Sequence, residues 1–455
     1  MPTPAADAGL HYSLGNALLA SGDAARAEAS YAAALALEPR HAGALNNRGT
    51  ALRSLGRAAE AAASYRAALA LRPEFAGTHN NLGSALLALH QPAAALAALE
   101  RALALQPDYA EACNNMGGAL LALDRPAEAV AWFRRALALD PTQSQARFGE
   151  GLALLTLGEF GPGWAAYEAR WLDPQFRRDE RAYDAPLWLG DPPVPDGGIV
   201  LHAEQGLGDA IQFARYAPLL RARGAHVTLE VQPSLVALLR PLADQVVAAG
   251  SELPPHRWHC PLMSLPLAFG TALPTIPDTV PYLAADPARV AHWSGVLGPP
   301  HHGPRVGIAL SGSPEHPDDA LRSIPAATLL PLLALPGVAF VLAQKDLRPA
   351  DAAALPPAVA LHGLATRDFS DTAALLMNLD LVISVDTSVA HLAAALGLPT
   401  WILVQHSADF RWLRKRDDSP WYPTVRLFRQ GGGEAWDVTV ARVAAALRIR
   451  SAEAA

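Results

Sequence analysis

The spacing of small and apolar positions divides the chain into two unlike stretches. Over the first third, residues of one kind return every 34 positions. A glycine recurs at Gly15, Gly49, Gly83, Gly117 and Gly151, an alanine at Ala27, Ala61, Ala95 and Ala129, and a proline at Pro39, Pro73, Pro107 and Pro141. A ring or leucine follows the same period at Tyr31, Tyr65, Leu99, Phe133 and Tyr167. Each proline ends a unit, because its nitrogen carries no hydrogen and its ring clashes with a preceding helical turn. The pattern predicts helix pairs: the small columns let two helices approach, and the ring column fills the gap beside them. One pair cannot bury its own face, so the pairs must stack. The units run 10–43, 44–77, 78–111 and 112–145, with an incomplete fifth, which places a repeat array at 10–171.

The fifth unit turns aromatic at Phe160, Trp164, Tyr167 and Trp171, and a Pro- and Asp-rich segment with Trp188 follows. We read a capping helix whose rings pack rather than bind a ligand, then a linker or docking segment at 172–197. From Gly198 onward short apolar runs alternate with helical stretches, the signature of βαβ units and parallel sheets. Strands are expected at 199–203, 227–231 and 245–248 in a first half spanning 198–295. In a second half spanning 304–450 they are expected at 306–310, 338–343, 381–385 and 400–404, the last taken as the final core strand. The Pro-rich stretch 253–287 separates the two. Open parallel sheets bind ligands at the carboxyl ends of their strands, so two such halves imply a cleft between them.

Two loops at strand ends carry the candidate chemistry. The first is Glu204-Gln205-Gly206-Leu207-Gly208-Asp209, where Gly206 and Gly208 permit a tight turn and close backbone approach and set a carboxylate at a helix start. It is not the dinucleotide fingerprint, whose third glycine is replaced by Ile211. The second is Asp386-Thr387-Ser388-Val389-Ala390-His391, directly after a strand expected to be fully buried. Thr387 can cap the next helix, the exposed amides and dipole of that helix suit a pyrophosphate, and His391 lies one turn inside. In the repeats Asn47, Asn81 and Asn115 stand two positions before the glycine, each preceded by another Asn. Asn is a mediocre helix former, so three in register need a reason; the plain alternative is a row of solvated helix positions.

The 34-residue unit with its L-G, A-x3-aromatic and Pro positions resembles the tetratricopeptide repeat. The E-Q-G-L-G-D loop together with D-T-S-x-x-H-L-A-A-A-L-G-x-P looks like the ADP-heptose lipopolysaccharide heptosyltransferase superfamily, of GT-B fold. The two together resemble bacterial tetratricopeptide-repeat glycosyltransferases. The resemblance implies an α + α/β chain, an N-terminal α-solenoid followed by a GT-B unit of two Rossmann-like domains, the first for acceptor and the second for donor. It implies that Asp209 is the general base and that Asp386, Thr387 and His391 grip a nucleotide diphosphate. It also implies that the Asn column holds peptide backbone in the groove. Ser388 stands where the family has glycine.

Composition adds a few bounds. Only two lysines occur among 36 basic residues, so Lys345, at the end of the strand V-A-F-V-L-A-Q, is a candidate to neutralise a departing diphosphate. Arg322, reached through a long loop that also holds His316, Asp318 and Asp319, can fork onto phosphate oxygens; the other three read as surface residues. A basic and aromatic cluster, Asp409 to Arg416 and then Trp421 and Tyr422, reads first as a packed loop. No D-x-D sequence occurs, so no metal or other cofactor is expected. Net charge is −7 and no long run of Lys or Arg is present, which argues against nucleic acid as partner. Cys113 and Cys260 sit in apolar surroundings, and neither an export signal nor 18 consecutive apolar residues is found, so a cytoplasmic protein without integral membrane contact is expected. The expected activity is inverting, metal-independent transfer of a sugar from a nucleotide-diphospho-sugar to a protein or peptide presented by the repeats. The alternatives are a non-catalytic scaffold with a degenerate transferase domain and a saccharide-directed, heptosyltransferase-like enzyme.

Overall fold

The computed structural model describes residues 4–173, 181–299, 303–316 and 318–453. It forms two compact units, one of the chain up to Leu157 with Ala166–Asp173, the other of Gly158–Ala165 with the chain from Arg181 onward. Part of the expected linker, 174–180, lies outside the described residues.

The first unit is a helical solenoid. Its helices are α1 (Pro4–Ala20), α2 (Ala24–Leu37), α3 (Ala42–Ser54), α4 (Ala58–Leu71), α5 (Ala76–Ala88), α6 (Pro92–Leu105), α7 (Ala110–Ala122), α8 (Pro126–Leu139) and α9 (Ser144–Leu157). The first helix thus begins before the expected start at residue 10. The glycine column is a steric requirement: a Cβ at Gly49 or Gly117 would lie 2.6 Å from a ring atom of Tyr65 or Phe133, and at Gly83 the same distance from Leu99 Cγ. These bulky residues are buried, so the two columns interlock within each pair, and the pairs stack around one apolar cluster from Leu52 to Leu154 and a smaller one at Ala27, Tyr31, Ala34, Ala44 and Ala51.

The short helix Phe160–Tyr167, α10, divides its aromatic residues between the units. Tyr167 packs at a tilt against Phe148 of the repeats, with 5.2 Å between ring centroids. Trp164 meets Phe213 and Phe410 edge-on in the second unit, at 6.2 Å and 5.5 Å. Trp188 is fully buried there, its Nε1 donating to the Pro192 carbonyl at 2.7 Å. These rings pack, as expected.

The second unit contains two parallel sheets. The first has the order β3-β2-β1-β4, with β1 Ile199–His202, β2 Val227–Val231, β3 Gln245–Ala248 and β4 Trp258–Pro261. The second has the order β6-β5-β7-β8-β9, with β5 Arg305–Ala309, β6 Ala339–Leu342, β7 Leu381–Val385, β8 Thr400–Val404 and β9 Val425–Arg429. Two strands differ from the sequence reading. β4 lies inside the Pro-rich stretch, and β9 adds an edge beyond the strand taken as last. Helix Pro287–Leu297, counted with the first half, packs instead on the second-half helix Phe369–Leu376, where Arg289 bonds Asp368 at 2.7 Å and Asp371 at 2.8 Å. The order in which strands are added reverses once in each parallel sheet, between β1 and β4 and between β5 and β7. Such switch points open a crevice at the strand carboxyl ends, and both candidate loops leave from strands that flank them.

The interlocked columns yield a contrast between two helical glycines. Gly117→Ala forces Cβ into the Phe133 ring and is expected to destabilise the repeats by about 1–3 kcal/mol. Gly9→Ala, with nothing within 4 Å of its Cβ, is expected to be neutral or stabilising by about 0.5–1 kcal/mol. Denaturant melts of both variants check this; equal midpoints would overturn the steric account of the glycine column.

Candidate active site

The loop after β1 and the loop after β7 face each other. Helix Leu207–Phe213 starts at the first and helix Ser388–Ala395 at the second. A Cβ on Gly208 would lie 2.9 Å from His391 Cδ2 and 3.6 Å from Ser388 Cα. Gly208 therefore allows the two helix starts to approach closely. Gly206 has ordinary extended backbone (φ −69°), so its glycine is not demanded by conformation. Its N–H donates to Asp209 Oδ2 at 2.9 Å, which folds the carboxylate back over the first turn.

Asp209 Oδ1 takes a bond from Arg411 Nη2 at 2.6 Å, spanning 202 residues of sequence and joining the two halves. Arg411 Nη1 also lies 3.3 Å from Asp409 Oδ2. Burial pushes the Asp409 carboxyl up, and the neighbouring charges of Asp386 and Asp209 add to that rise against the pull of Arg411. Arg411 and Asp409 belong to the basic and aromatic cluster that the sequence reads as a packed loop; the structure brings them into the centre of the site. No local spacing signals this, because their partner is contributed by the other half.

Asp386 sits at the end of β7. Its Oδ2 accepts from Trp412 Nε1 at 2.8 Å, and its Oδ1 lies 3.7 Å from His391 Nε2. Burial works to raise this carboxyl, but bonding and charge from His391, with help from Arg411 and Trp412, outweigh it and hold the group at about 2. His391 is buried rather than open to solvent: Nδ1 is 3.0 Å from the Tyr422 hydroxyl, and the ring stacks on Trp412 at 5.3 Å. Burial raises Tyr422 well above the usual phenol range, so it stays protonated and can donate to Nδ1. With Tyr422 donating to Nδ1, it is Nε2 that carries a ring proton toward Asp386.

Thr387 occupies the N-cap position of helix Ser388–Ala395, but its side chain makes no capping bond. Its hydroxyl lies 3.1 Å from Ser384 Oγ instead, because β7 holds that partner directly below. Ser388 is half-buried at the first helical position. Arg322 reaches across from the short helix Asp319–Arg322 after β5: Nη1 donates to the Asp386 backbone carbonyl at 3.3 Å, its guanidinium covers Gly312, and its buried Nε has no partner among the described residues. Lys345 is not brought to this cluster. It is exposed after β6, the edge strand two places from β7, and donates to the Arg367 carbonyl at 3.3 Å. Asp319, read as a surface residue, is buried and bonded by Ser323 at 2.6 Å and by Arg348. Among the described residues no group of three His, Cys, Asp or Glu side chains could hold a metal ion.

In the repeats the Asn columns bond to one another. Asn81 Nδ2 donates to Asn46 Oδ1 at 3.3 Å, Asn115 Nδ2 to Asn80 Oδ1 at 2.8 Å, and Asn47 Nδ2 to Asn16 Oδ1 at 2.8 Å. Each of these amides thus ties its repeat to the one before. Beside them a cavity of about 570 Å³ opens, lined by Asn46, Glu74, Phe75, Thr78, Asn81 and Leu105 among others. Among the described residues no helix is long and apolar enough to cross a membrane.

Comparison with known proteins agrees with this division. The tetratricopeptide repeat family matches residues 12–74 and 80–144, and glycosyltransferase family 9 (heptosyltransferase) matches 327–409. The second match includes Asp386 to His391 and Lys345 but neither Asp209 nor Arg411. Protein FlbA of Caulobacter vibrioides is 29% identical over 320 residues, 64% of this chain and 53% of that protein, so the chain spans about half the length of this curated relative. The crystal structure of PilW, a type IV pilus biogenesis factor, is 26% identical over 36% of this chain and 75% of that one, with a TM-score of 0.34. MamA of Desulfovibrio magneticus is 22% identical over 39% of this chain and 98% of that one, with a TM-score of 0.32. From these matches, the chain carries tetratricopeptide repeats in its N-terminal part and a glycosyltransferase family 9 domain toward its C-terminus.

Proposed function

We propose that the chain is an inverting glycosyltransferase that moves a sugar from a nucleotide-diphospho-sugar to a hydroxyl of a protein or peptide held by the repeats. One observation carries this reading: Asp209 and the uncapped start of helix Ser388–Ala395 face one another across the crevice at the switch points of two parallel sheets. A carboxylate on one side and unspent helix amides on the other are what a direct displacement needs.

In this scheme Asp209 accepts the proton of the acceptor hydroxyl. The oxygen bonds to the anomeric carbon while the carbon–oxygen bond to the diphosphate breaks, and the electron pair leaves with the diphosphate. A single displacement inverts the anomeric configuration. The developing charge meets the N-terminus of helix Ser388–Ala395 and the Arg322 guanidinium, which supply electrostatic stabilisation without a metal. Asp386, fixed by Trp412 and His391, holds the turn that aims those amides. Peptide binding in the repeats is supported by the cavity beside the Asn ladder, where Phe75 and Leu105 offer apolar contact and Asn46, Thr78 and Asn81 offer hydrogen bonds.

Three outcomes are expected. Thermal melts with ADP-, UDP- and GDP-sugars should show stabilisation by one class, about 2.7 kcal/mol at a hundredfold excess over Kd, and Asp386→Asn should abolish it; no response to any class sinks the donor site. Turnover, followed in the presence of a chelator as release of nucleoside diphosphate from that sugar, should fall about 10²–10⁴-fold in Asp209→Asn. A normal rate in this variant removes Asp209 as base. For acid stability the sign follows from the Asp386 carboxyl, held at about 2 when folded against about 3.9 unfolded. The unfolded chain takes up the proton first, so this contribution is complete above about pH 4 and is lost as pH falls toward 2. Asp386→Asn should lose less stability than the parent over that interval, as measured by urea melts.

A further inference from the structure

The Asp209–Arg411 pair poses a difficulty for any scheme in which Asp209 is the base. One carboxylate oxygen is taken by the Gly206 N–H and the other by a guanidinium at 2.6 Å, with only 17% of the Asp209 side chain and 10% of the Arg411 side chain exposed. With both oxygens occupied, an acceptor hydroxyl can reach neither without displacing a charge-assisted, poorly solvated bond. Arg411 stands where a second anion would reach it: its charge acts on Asp386, and its neighbour Trp412 bonds that same residue. Gly208, next to Asp209, lies against Ser388 at the start of helix Ser388–Ala395.

Resting on the donor reading above, we infer that Arg411 is exchanged between two anions. In the unliganded protein it neutralises Asp209; when a nucleoside diphosphate occupies the start of helix Ser388–Ala395, the guanidinium moves to the phosphate oxygens and Asp209 is released to serve the acceptor. The bidentate fork suits the move, since a guanidinium meets carboxylate and phosphate with the same geometry. Donor and acceptor then add in order, because the base becomes competent only once the donor has bound. Arg411 acts on the acceptor step through Asp209 and is in that respect a positioning residue, while it touches the donor directly.

The exchange makes an unusual demand. Diphosphate binding must break the Asp209–Arg411 pair, so removing the Asp209 charge should strengthen that binding. Asp209→Asn keeps an oxygen for the Gly206 N–H while loosening the hold on Arg411. Titration calorimetry of the full chain with ADP, UDP and GDP is expected to show the preferred nucleotide binding Asp209→Asn about ten-fold tighter than the parent. Arg411→Gln should bind it about ten-fold more weakly, and the double variant should resemble Arg411→Gln, the gain from Asp209→Asn having vanished with the guanidinium. Arg411→Lys, which keeps the charge but not the fork, covers the case in which Arg411→Gln does not fold, and should fall between parent and Arg411→Gln. Equal or weaker binding by Asp209→Asn while the parent binds overturns the exchange and leaves the donor site standing. A gain that persists in the double variant also overturns it. Absence of binding by parent and Asp209→Asn alike overturns the donor reading and the exchange with it.

Discussion

A single buried cation holds the two α/β halves in the arrangement on which the site depends. Arg215, at the end of the first-half helix that begins beside Asp209, is 4% exposed. Among the described residues it bonds no carboxylate. Its Nη1 donates to the carbonyls of Pro277 and Trp421, both at 2.7 Å, its Nε to Gln212 at 2.8 Å, and its plane lies over the rings of Tyr282 and Tyr422 at 4.6 Å and 4.5 Å. Burying a guanidinium is costly unless its donors are satisfied and its faces are covered, and here carbonyls and π faces do both. The consequence reaches the chemistry through Tyr422, whose hydroxyl meets His391, which in turn faces Asp386. The position of the first-half helix is thereby tied to the orientation of an imidazole in the second half.

The features legible in the sequence are those set by local repetition or by strand-end turns. The repeat register could be read because Gly117 and Phe133 must alternate in every unit for helices to touch. The loops at Asp209 and Asp386 could be read because glycine and a carboxylate after an apolar run mark a strand end. β4 escaped because Trp258 to Pro261 is four residues long and lies among prolines. β9, V-R-L-F-R, escaped because an edge strand carries charged residues between apolar ones and lacks the uncharged, fully buried character of β7 and β8. Arg411, Trp412 and Tyr422 were visible as a cluster but not as a site, since their partners stand 202, 26 and 31 residues away. Arg215 offered no signal at all in a chain that uses arginine for nearly every cation.

The Asn ladder shows how a pattern seen in the sequence acquires a physical reason in the structure. Three in-register asparagines did require a reason, and the reason is that each amide donates to the preceding repeat, at an offset of 35 residues for Asn81 and Asn115. A solenoid is stabilised unit by unit through its nearest neighbours, so a hydrogen bond at each junction fixes the step and with it the width of the groove. Thr78 adds a second bond to Asn46 at 2.9 Å at the wall of the 570 Å³ cavity. A peptide in that cavity would meet a surface whose shape is fixed beforehand, which lowers the ordering cost of binding.

Electrostatics decide whether such a site can receive an anion. Asp209, Asp386 and Asp409 surround Arg411, and three full negative charges beside one guanidinium would repel a diphosphate. The environment separates two of them. Asp386 is held ionised by His391, Arg411 and Trp412 despite its burial, whereas Asp409 is driven upward by burial and by the other two carboxylates. Asp409 therefore takes up a proton more readily than Asp386, and a further negative charge entering the cluster pushes it in the same direction. Protonating Asp409 removes one anion from the Arg411 shell when the guanidinium is most needed elsewhere. Arg322, already bonded to the backbone of Asp386 and with its Nε unspent, adds a second guanidinium on the same side. The cluster is thus able to shed negative charge and present positive charge without moving a strand, which is the property a diphosphate site at a parallel-sheet switch point requires.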